Sequence, residues 1–288
     1  MVLDMDQKTK INPKTTVGAV LLGVRDFEQM TEFYRNVIGL DVLDRSTSRV
    51  SLGIDSSPLV VLEHRPDGQA YPMAPGLFHL AILMPSRQDL GHWLEHFSQL
   101  GHRLSGVGDH LVSEALYLND PEGNGIEIYR DRPRQDWQYD EDGGLQMDTL
   151  AIDVYALLED AHRGPFNGMP KGTKMGHVHL QVNELQAATA FYRDVVGFDM
   201  VTRMPSASFL SAGGYHHHLG MNTWRSRNAE PRPVDALGLI AYQVVLPDED
   251  ALKTHLSEVE ARGGQIDTNR EFPQITDPSG NVVQFIHA

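Results

Sequence analysis

The sequence contains no cysteine, which excludes disulfides and thiolate chemistry and fits a reducing compartment. It is poor in positive charge. Against 39 Asp and Glu stand 24 Lys and Arg, a net charge of −15, so phosphate backbones and anionic membrane surfaces are repelled. No uncharged apolar run is long enough to span a bilayer. The opening MVLDMDQKTKINPKTTVG has no apolar segment of the kind that marks a secretory signal. These absences lead us to expect a cytoplasmic protein with neither a nucleic-acid nor a membrane partner.

The 288 residues suggest roughly two domains, and an apolar share of 41% with 26 glycines describes a globular, turn-rich chain. Histidine is abundant, with 14 residues, three of them consecutive at His216, His217 and His218. That triplet runs into Leu219, Met221 and Trp224, so it reads as a strand entering a core rather than a polar metal-scavenging tract.

An internal repeat organises the chain. VGAVLLGVRDFEQMTEFYRNVIGLDVL (17–43) aligns with MGHVHLQVNELQAATAFYRDVVGFDMV (175–201) at a constant offset of 158. Both read as a strand, a helix carrying Phe-Tyr-Arg, a glycine and a second strand. Weaker copies begin at GLFHLAIL (76–83) and GLIAYQVVL (238–246). Four βαβββ modules follow, at 15–64, 76–131, 174–224 and 238–288. The second and fourth close alike, in DPEGNGIEIY and DPSGNVVQFI, each an Asp-Pro-x-Gly-Asn turn before an alternating strand. The expected division is an N-terminal domain (1–131), a linker (132–173) with a helix near 148–162, and a C-terminal domain (174–288). The expected fold class is α+β, with the modules paired into two cupped, barrel-like sheets and helices outside. The aromatics of the Phe-Tyr-Arg sets and Trp224 are assigned to packing, and the acidic stretch Asp136 to Asp142 to a solvated loop.

Alternation along the strands selects residues facing one side. His177, His179 and Gln181 share a face, as do His79 and Ala81, and as do Glu127 and Tyr129. Taken singly, each is most simply a polar face residue. At equivalent module positions they form a pattern. The first strands carry Ala19, His79, His177 and Ala241 in turn, and the last strands offer Glu127 in module two, the triple histidine in module three and Gln284 in module four. Two histidines and one carboxylate on one side of a metal are the facial set of non-haem Fe(II) oxygenases, and His79, Glu127 and His177 supply it.

The residues GDHLVSEALYLNDPEGNGIE (108–127), with the βαβββ repeat, resemble the vicinal oxygen chelate superfamily, which includes glyoxalase I, bleomycin resistance proteins and extradiol ring-cleaving dioxygenases. The segment is similar to the extradiol signature at Gly108, His110, Leu116, Tyr117, Asp120, Pro121, Gly123 and Glu127. The pattern as a whole is most similar to the catechol 2,3-dioxygenase branch of Bacillus-type bacteria. The resemblance implies an Fe(II)-dependent dioxygenase acting on catechol or a substituted catechol with O2, with Mn(II) accepted by the same ligands. It implies metal binding by His79, Glu127 and His177, catechol contacts from His110 and Tyr117, and a catalytic role for Tyr117.

The resemblance also implies an acid/base histidine near the last strand of module three, best matched by His217. Strict alternation instead puts His216 and His218 on the site face, so His218 is expected to contact substrate and stays open as a second acid/base group or a fourth ligand. One departure from two-domain relatives matters. Paired in chain order, neither half holds a full ligand set, so module two must pair with module three. Two alternatives remain: a glyoxalase-type metal-dependent isomerase or lyase, and a metal-free small-molecule binding protein. Whether the chain forms a homo-oligomer is open.

Overall fold

The computed structural model describes residues 11–141 and 143–288. The reading of the first ten residues as free of an apolar leader, and Asp142 of the acidic stretch, lie outside the described residues.

Module one contains β1 (Thr16–Val24), α1 (Phe27–Glu32), β2 (Asp41–Arg45), β3 (Arg49–Ile54) and β4 (Ser57–His64). Module two contains β5 (Gly76–Met84), α2 (Arg87–Gln99), β6 (Gly106–Asp109), β7 (Ser113–Asn119) and β8 (Gly125–Asp131). The connection holds α3 (Val154–Glu159). Module three contains β9 (Lys174–Gln181), α4 (Leu185–Ala190), β10 (Asp199–Arg203), β11 (Ala207–Ser211) and β12 (Leu219–Asn222). Module four contains β13 (Gly238–Leu246), α5 (Glu249–Ala261), β14 (Gln274–Thr276) and β15 (Val282–His287).

The strands form two curled sheets. A seven-stranded sheet runs β14-β15-β13-β1-β4-β3-β2 and an eight-stranded sheet runs β10-β11-β12-β9-β5-β8-β7-β6. Modules one and four therefore share one cup through the antiparallel pair β1/β13, and modules two and three share the other through β5/β9. The helices bind the modules in the complementary way. Tyr34, from the first Phe-Tyr-Arg set, donates its hydroxyl to Asp120 of module two at 3.0 Å. Tyr192, from the second set, donates to Asp277 of module four at 3.1 Å. Each aspartate belongs to an Asp-Pro-x-Gly-Asn turn and also accepts backbone N–H bonds within it. Strand pairing thus joins modules one to four and two to three, while these buried Tyr–Asp bonds join one to two and three to four.

Local structure departs from the sequence reading in three places. Both short helices α1 and α4 continue as a π-helical turn, Phe33–Ile38 and Phe191–Val196, which ends at a left-handed glycine, Gly39 and Gly197. The wider turn keeps Tyr34 and Tyr192 aimed inward, where both are fully buried. The expected helix at 148–162 is only Val154–Glu159, because Leu150 is held in a bridge to Asp109 and Asp153 caps the helix by accepting from Ala156. In module four, the stretch before Pro273 is rich in turn formers and keeps a single bridge, Asp267 to Gln274, in place of a strand. Among the described residues, no helix is long and apolar enough to cross a membrane.

One core residue makes stability depend on pH. His255 of α5 is buried against Phe285, at 5.1 Å between rings, and neither of its nitrogens has a partner. Burial lowers its pKa to about 4, with Arg262 adding to the shift. The unfolded chain takes this proton near pH 6.5. Between pH 6.5 and 4 the unfolded state therefore binds more protons, and stability falls as the pH falls. A drop of roughly 2–3 kcal/mol is expected across that window. In His255→Phe this component should vanish, which urea unfolding at pH 7 and pH 4.5 reads directly. Equal acid loss in both proteins would assign the effect elsewhere.

Candidate metal centre

The strand registers bring three donors to one point. In the parallel pair β5/β8, Ala81 lies beside Glu127. In the antiparallel pair β5/β9, Ala81 lies beside His177. His79 projects on the same face two residues away. Ala81, fully buried at the centre, leaves room for its neighbours to lean together. Glycines make the remaining space: Gly125 faces His79, and Gly220 faces His179 so closely that a Cβ there would sit 2.9 Å from the ring. At Gly176, next to His177, a Cβ would lie 1.8 Å from the Tyr129 hydroxyl.

The resulting distances are short. His79 Nε2 lies 3.0 Å from Glu127 Oε2, His177 Nε2 lies 3.2 Å from the same oxygen, and the two imidazole nitrogens are 3.4 Å apart. All three residues are buried, and their donor atoms lie within 4.8 Å of one another. Burial lowers His177 to about 4, against the opposing pull of Glu127. Burial also acts to raise Glu127, but His177 and His79 outweigh it and hold this carboxyl well below the ordinary range. The set fits a metal ion on geometric grounds. Bonds of about 2.0–2.2 Å at angles of 90–110° place neighbouring donors about 3.0–3.5 Å apart, which is the spacing found. The far nitrogen of His177, Nδ1, has no hydrogen-bond partner. Its ring is held instead by Tyr129 and His217, at 4.9 and 4.1 Å between centroids.

These donors line a cavity of about 810 Å3. Tyr117 and His110 stand on its wall, linked by a 2.7 Å hydrogen bond between the phenol and Nε2. His110 Nδ1 lies 2.8 Å from the Asp148 carbonyl, which can only accept, so Nδ1 carries a proton, and with that as the ring's single proton Nε2 accepts from Tyr117. Burial and then Glu127 raise the Tyr117 phenol well above its usual pKa, so it remains a donor. His179, on the same strand face as His177, also lines the cavity; its Nε2 accepts from Asn222 Nδ2 at 3.0 Å. Phe78, Phe209 and Leu239 supply apolar wall. Trp224, assigned to the core from sequence, is 53% exposed at this wall, stacked edge-on against Phe78. Its indole N–H donates to Ser206 rather than into a core.

The triple histidine divides three ways. His217 lines the cavity beside His177 and Phe209. Burial and then the surrounding imidazoles push it well below its usual pKa, so it is a neutral ring, not one poised near pH 7. His216 is fully buried behind it. His218, expected toward substrate as one alternative, instead faces away: its Nδ1 accepts from the Ala212 amide at 3.1 Å and its ring lines a separate cavity of about 300 Å3. The reason is backbone geometry. Residues 212–218 precede β12 in an irregular segment with Gly213 and Gly214 both at positive φ, so strand alternation does not govern them.

The other cup holds no comparable set among the described residues. Ala19, Leu21, Val61 and Ala241 fill its corresponding positions as a small apolar cluster. Gln243 Oε1 accepts from the Ala19 amide, and Gln284 Oε1 is buried without a partner.

Fold and site together describe paired βαβββ cups with one facial His-Glu-His set, and the comparisons name that class. The chain belongs to the glyoxalase/bleomycin resistance protein/dioxygenase superfamily, whose family model matches residues 16–128 and 174–285. It is 43% identical to a catechol-2,3-dioxygenase of Bacillus subtilis (strain 168), over 96% of this chain and 99% of that one. Its fold is similar to that of a Bacillus subtilis subsp. subtilis str. 168 protein, with a TM-score of 0.62 and 9% identity over 94% of this chain and 84% of the other. It is also similar to glyoxalase I from Zea mays, with a TM-score of 0.56 and 15% identity over 94% and 92%.

Proposed function

We propose that the protein is an Fe(II)-dependent extradiol dioxygenase that opens catechol or a substituted catechol next to its two hydroxyls, inserting both atoms of O2. The observation that carries this reading is the convergence of His79, Glu127 and His177 at 3.0–3.4 Å on one side of a large apolar-walled cavity. Similarity to a catechol-2,3-dioxygenase supports it.

His79, Glu127 and His177 would hold the metal, with Glu127 as the anionic donor. Bound Fe(II) supplies open positions for a catecholate and dioxygen and a path for electrons between them. The chain's own residues do the rest. His217, a neutral imidazole on the cavity wall, takes a catechol proton and returns one later. Tyr117 stands beside the ring oxygens, and its single hydroxyl proton, held by His110 Nε2 in the free protein, turns to a substrate oxygen when the cavity is filled. The walls formed by Phe78, Phe209 and Leu239 accept the flat apolar face of the ring and exclude water. At about 810 Å3 the cavity leaves space beyond a single ring, which suits ring substituents.

The test is direct. Metal-free protein is loaded with Fe(II) without oxygen, mixed with catechol, and then exposed to air. The expected result is a yellow ring-opened semialdehyde formed with one O2 consumed per catechol, only after oxygen enters. Cleavage between the hydroxyls, or no oxygen uptake by fully loaded protein, would refute the reading. Mn(II) loaded in parallel decides between the two metals.

A further inference from the structure

Behind the cavity runs a chain of buried polar groups that the chemistry above leaves unused. His216 is fully buried, its ring packed against Tyr215 at 4.1 Å and Trp137 at 5.6 Å between centroids. Its Nε2 lies 2.8 Å from Asp131 Oδ1. Its Nδ1 lies 2.9 Å from Nδ1 of His217. The same Asp131 oxygen accepts from the Tyr215 hydroxyl at 3.1 Å, and that hydroxyl lies 2.7 Å from the Tyr129 hydroxyl. Asp131 is the last residue of β8, the strand that carries Glu127.

With His216 as a neutral imidazole, the hydrogen-bond inventory of these groups leaves one arrangement. A carboxylate only accepts, so Nε2 of His216 carries a proton and donates it to Asp131. A neutral imidazole with its proton on Nε2 has a lone pair on Nδ1. Facing that lone pair at 2.9 Å, Nδ1 of His217 must be the N–H. Nε2 of His217 then holds the lone pair, and it is the ring nitrogen left for a ligand in the cavity.

We propose that Asp131 and His216 are positioning residues that set the tautomer of His217, so that its Nε2 meets the substrate as a base. The proposal rests on the reading of His217 as the acid/base group. The same contacts serve the next stage without rearrangement. When Nε2 of His217 gains a proton, its Nδ1–H still donates to His216, and His216 still donates to Asp131. The positive charge formed on His217 is therefore met by an aligned chain of donors ending on an anion. The buried His216 imidazole is costly to desolvate unless both nitrogens are paired, and this alignment pairs them, Nε2 with Asp131 and Nδ1 with His217.

Two measurements test this. The first needs no variant and no metal. In full-length metal-free protein labelled with 15N-histidine, ring-nitrogen chemical shifts separate N–H from lone-pair nitrogens. The expected pattern is Nδ1–H for His217 and Nε2–H for His216; a proton on Nε2 of His217 overturns the proposal. The second uses Asp131→Asn in Fe(II)-loaded protein. The rate kcat is expected to fall roughly 10–10²-fold, part of the 10²–10⁴ that a positioned base supplies. Bound metal and the KM for catechol should not change. In a His217→Ala background the same change should cost nothing further; an equal loss there makes Asp131 merely structural and overturns the proposal. If His217→Ala alone leaves turnover intact, the acid/base reading falls, while the nitrogen shifts still decide the tautomer. Should Asp131→Asn fail to fold, the wild-type spectra decide alone.

Discussion

Glu127→Gln is expected to lose bound metal and turnover together while the fold survives. The carboxylate is the only anion in the three-donor set, and its Oε2 is the atom both imidazoles approach, at 3.0 and 3.2 Å. A neutral amide offers no charge to a divalent ion, and its NH2 group brings a second donor where His79 and His177 already crowd. The side chain is nearly isosteric, and the β5/β8 register rests on backbone pairing that the change leaves alone. Metal content should drop to about a tenth or less, with turnover falling in proportion and the chain still cooperatively folded. Metal analysis, a turnover assay and thermal unfolding on one preparation check all three. A variant that keeps full metal and full turnover means that the donor set is wrongly assigned.

His217→Ala should separate what Glu127→Gln joins. Its ring lines the cavity beside His177 but lies outside the converging donor set, so bound metal should stay near the wild-type level. Turnover should fall by roughly 10²–10⁴, the usual contribution of a positioned acid/base group. His218→Ala is the matched control. Its ring faces the second cavity and bonds the Ala212 amide, so turnover should stay near the wild-type value. A severe defect in His218→Ala with a mild one in His217→Ala would reverse the assignment of the two rings.

Much of this was legible in the sequence because the site sits on regular strands. Two-residue alternation is enforced wherever one face of a sheet packs on helices, so His79, Glu127 and His177 could be put on one face from Val178, Leu80 and Ile126 on the other. The need for module two to meet module three followed from ligand arithmetic, and the β5/β9 pair supplies that meeting. What was illegible lies where period two or 3.6 stops applying. Two left-handed glycines release residues 212–218 from the strand, which is why alternation favoured His216 and His218. The π-helical turns at Phe33–Ile38 and Phe191–Val196 carry no periodic signature distinct from a helix. Trp224 looked like core because large aromatics usually are, but Asn222 turns the chain after β12 by accepting from the Trp224 amide, and the indole lies at the cavity wall. The pairing of Asp131 with His216 gave no signal: the two meet only because β8 and the segment before β12 run to the same end of one sheet.

The nested pairing of modules, one with four around two with three, has a consequence during synthesis on the ribosome. The inner cup can close once β12 has emerged. Strand β1 leaves the ribosome early but waits for β13, its antiparallel neighbour, which starts only at Gly238. At about 5–20 residues per second that wait is about 10–40 s. Throughout it β1 presents an unpaired edge, TVGAVLLGV, which carries no charged residue and is backed on its other side by β4. Such an edge is a template for pairing with another nascent chain. The tunable quantity for producing this protein in soluble form is therefore the time between the two ends of its outer cup, set by elongation rate and by whatever shields that edge meanwhile.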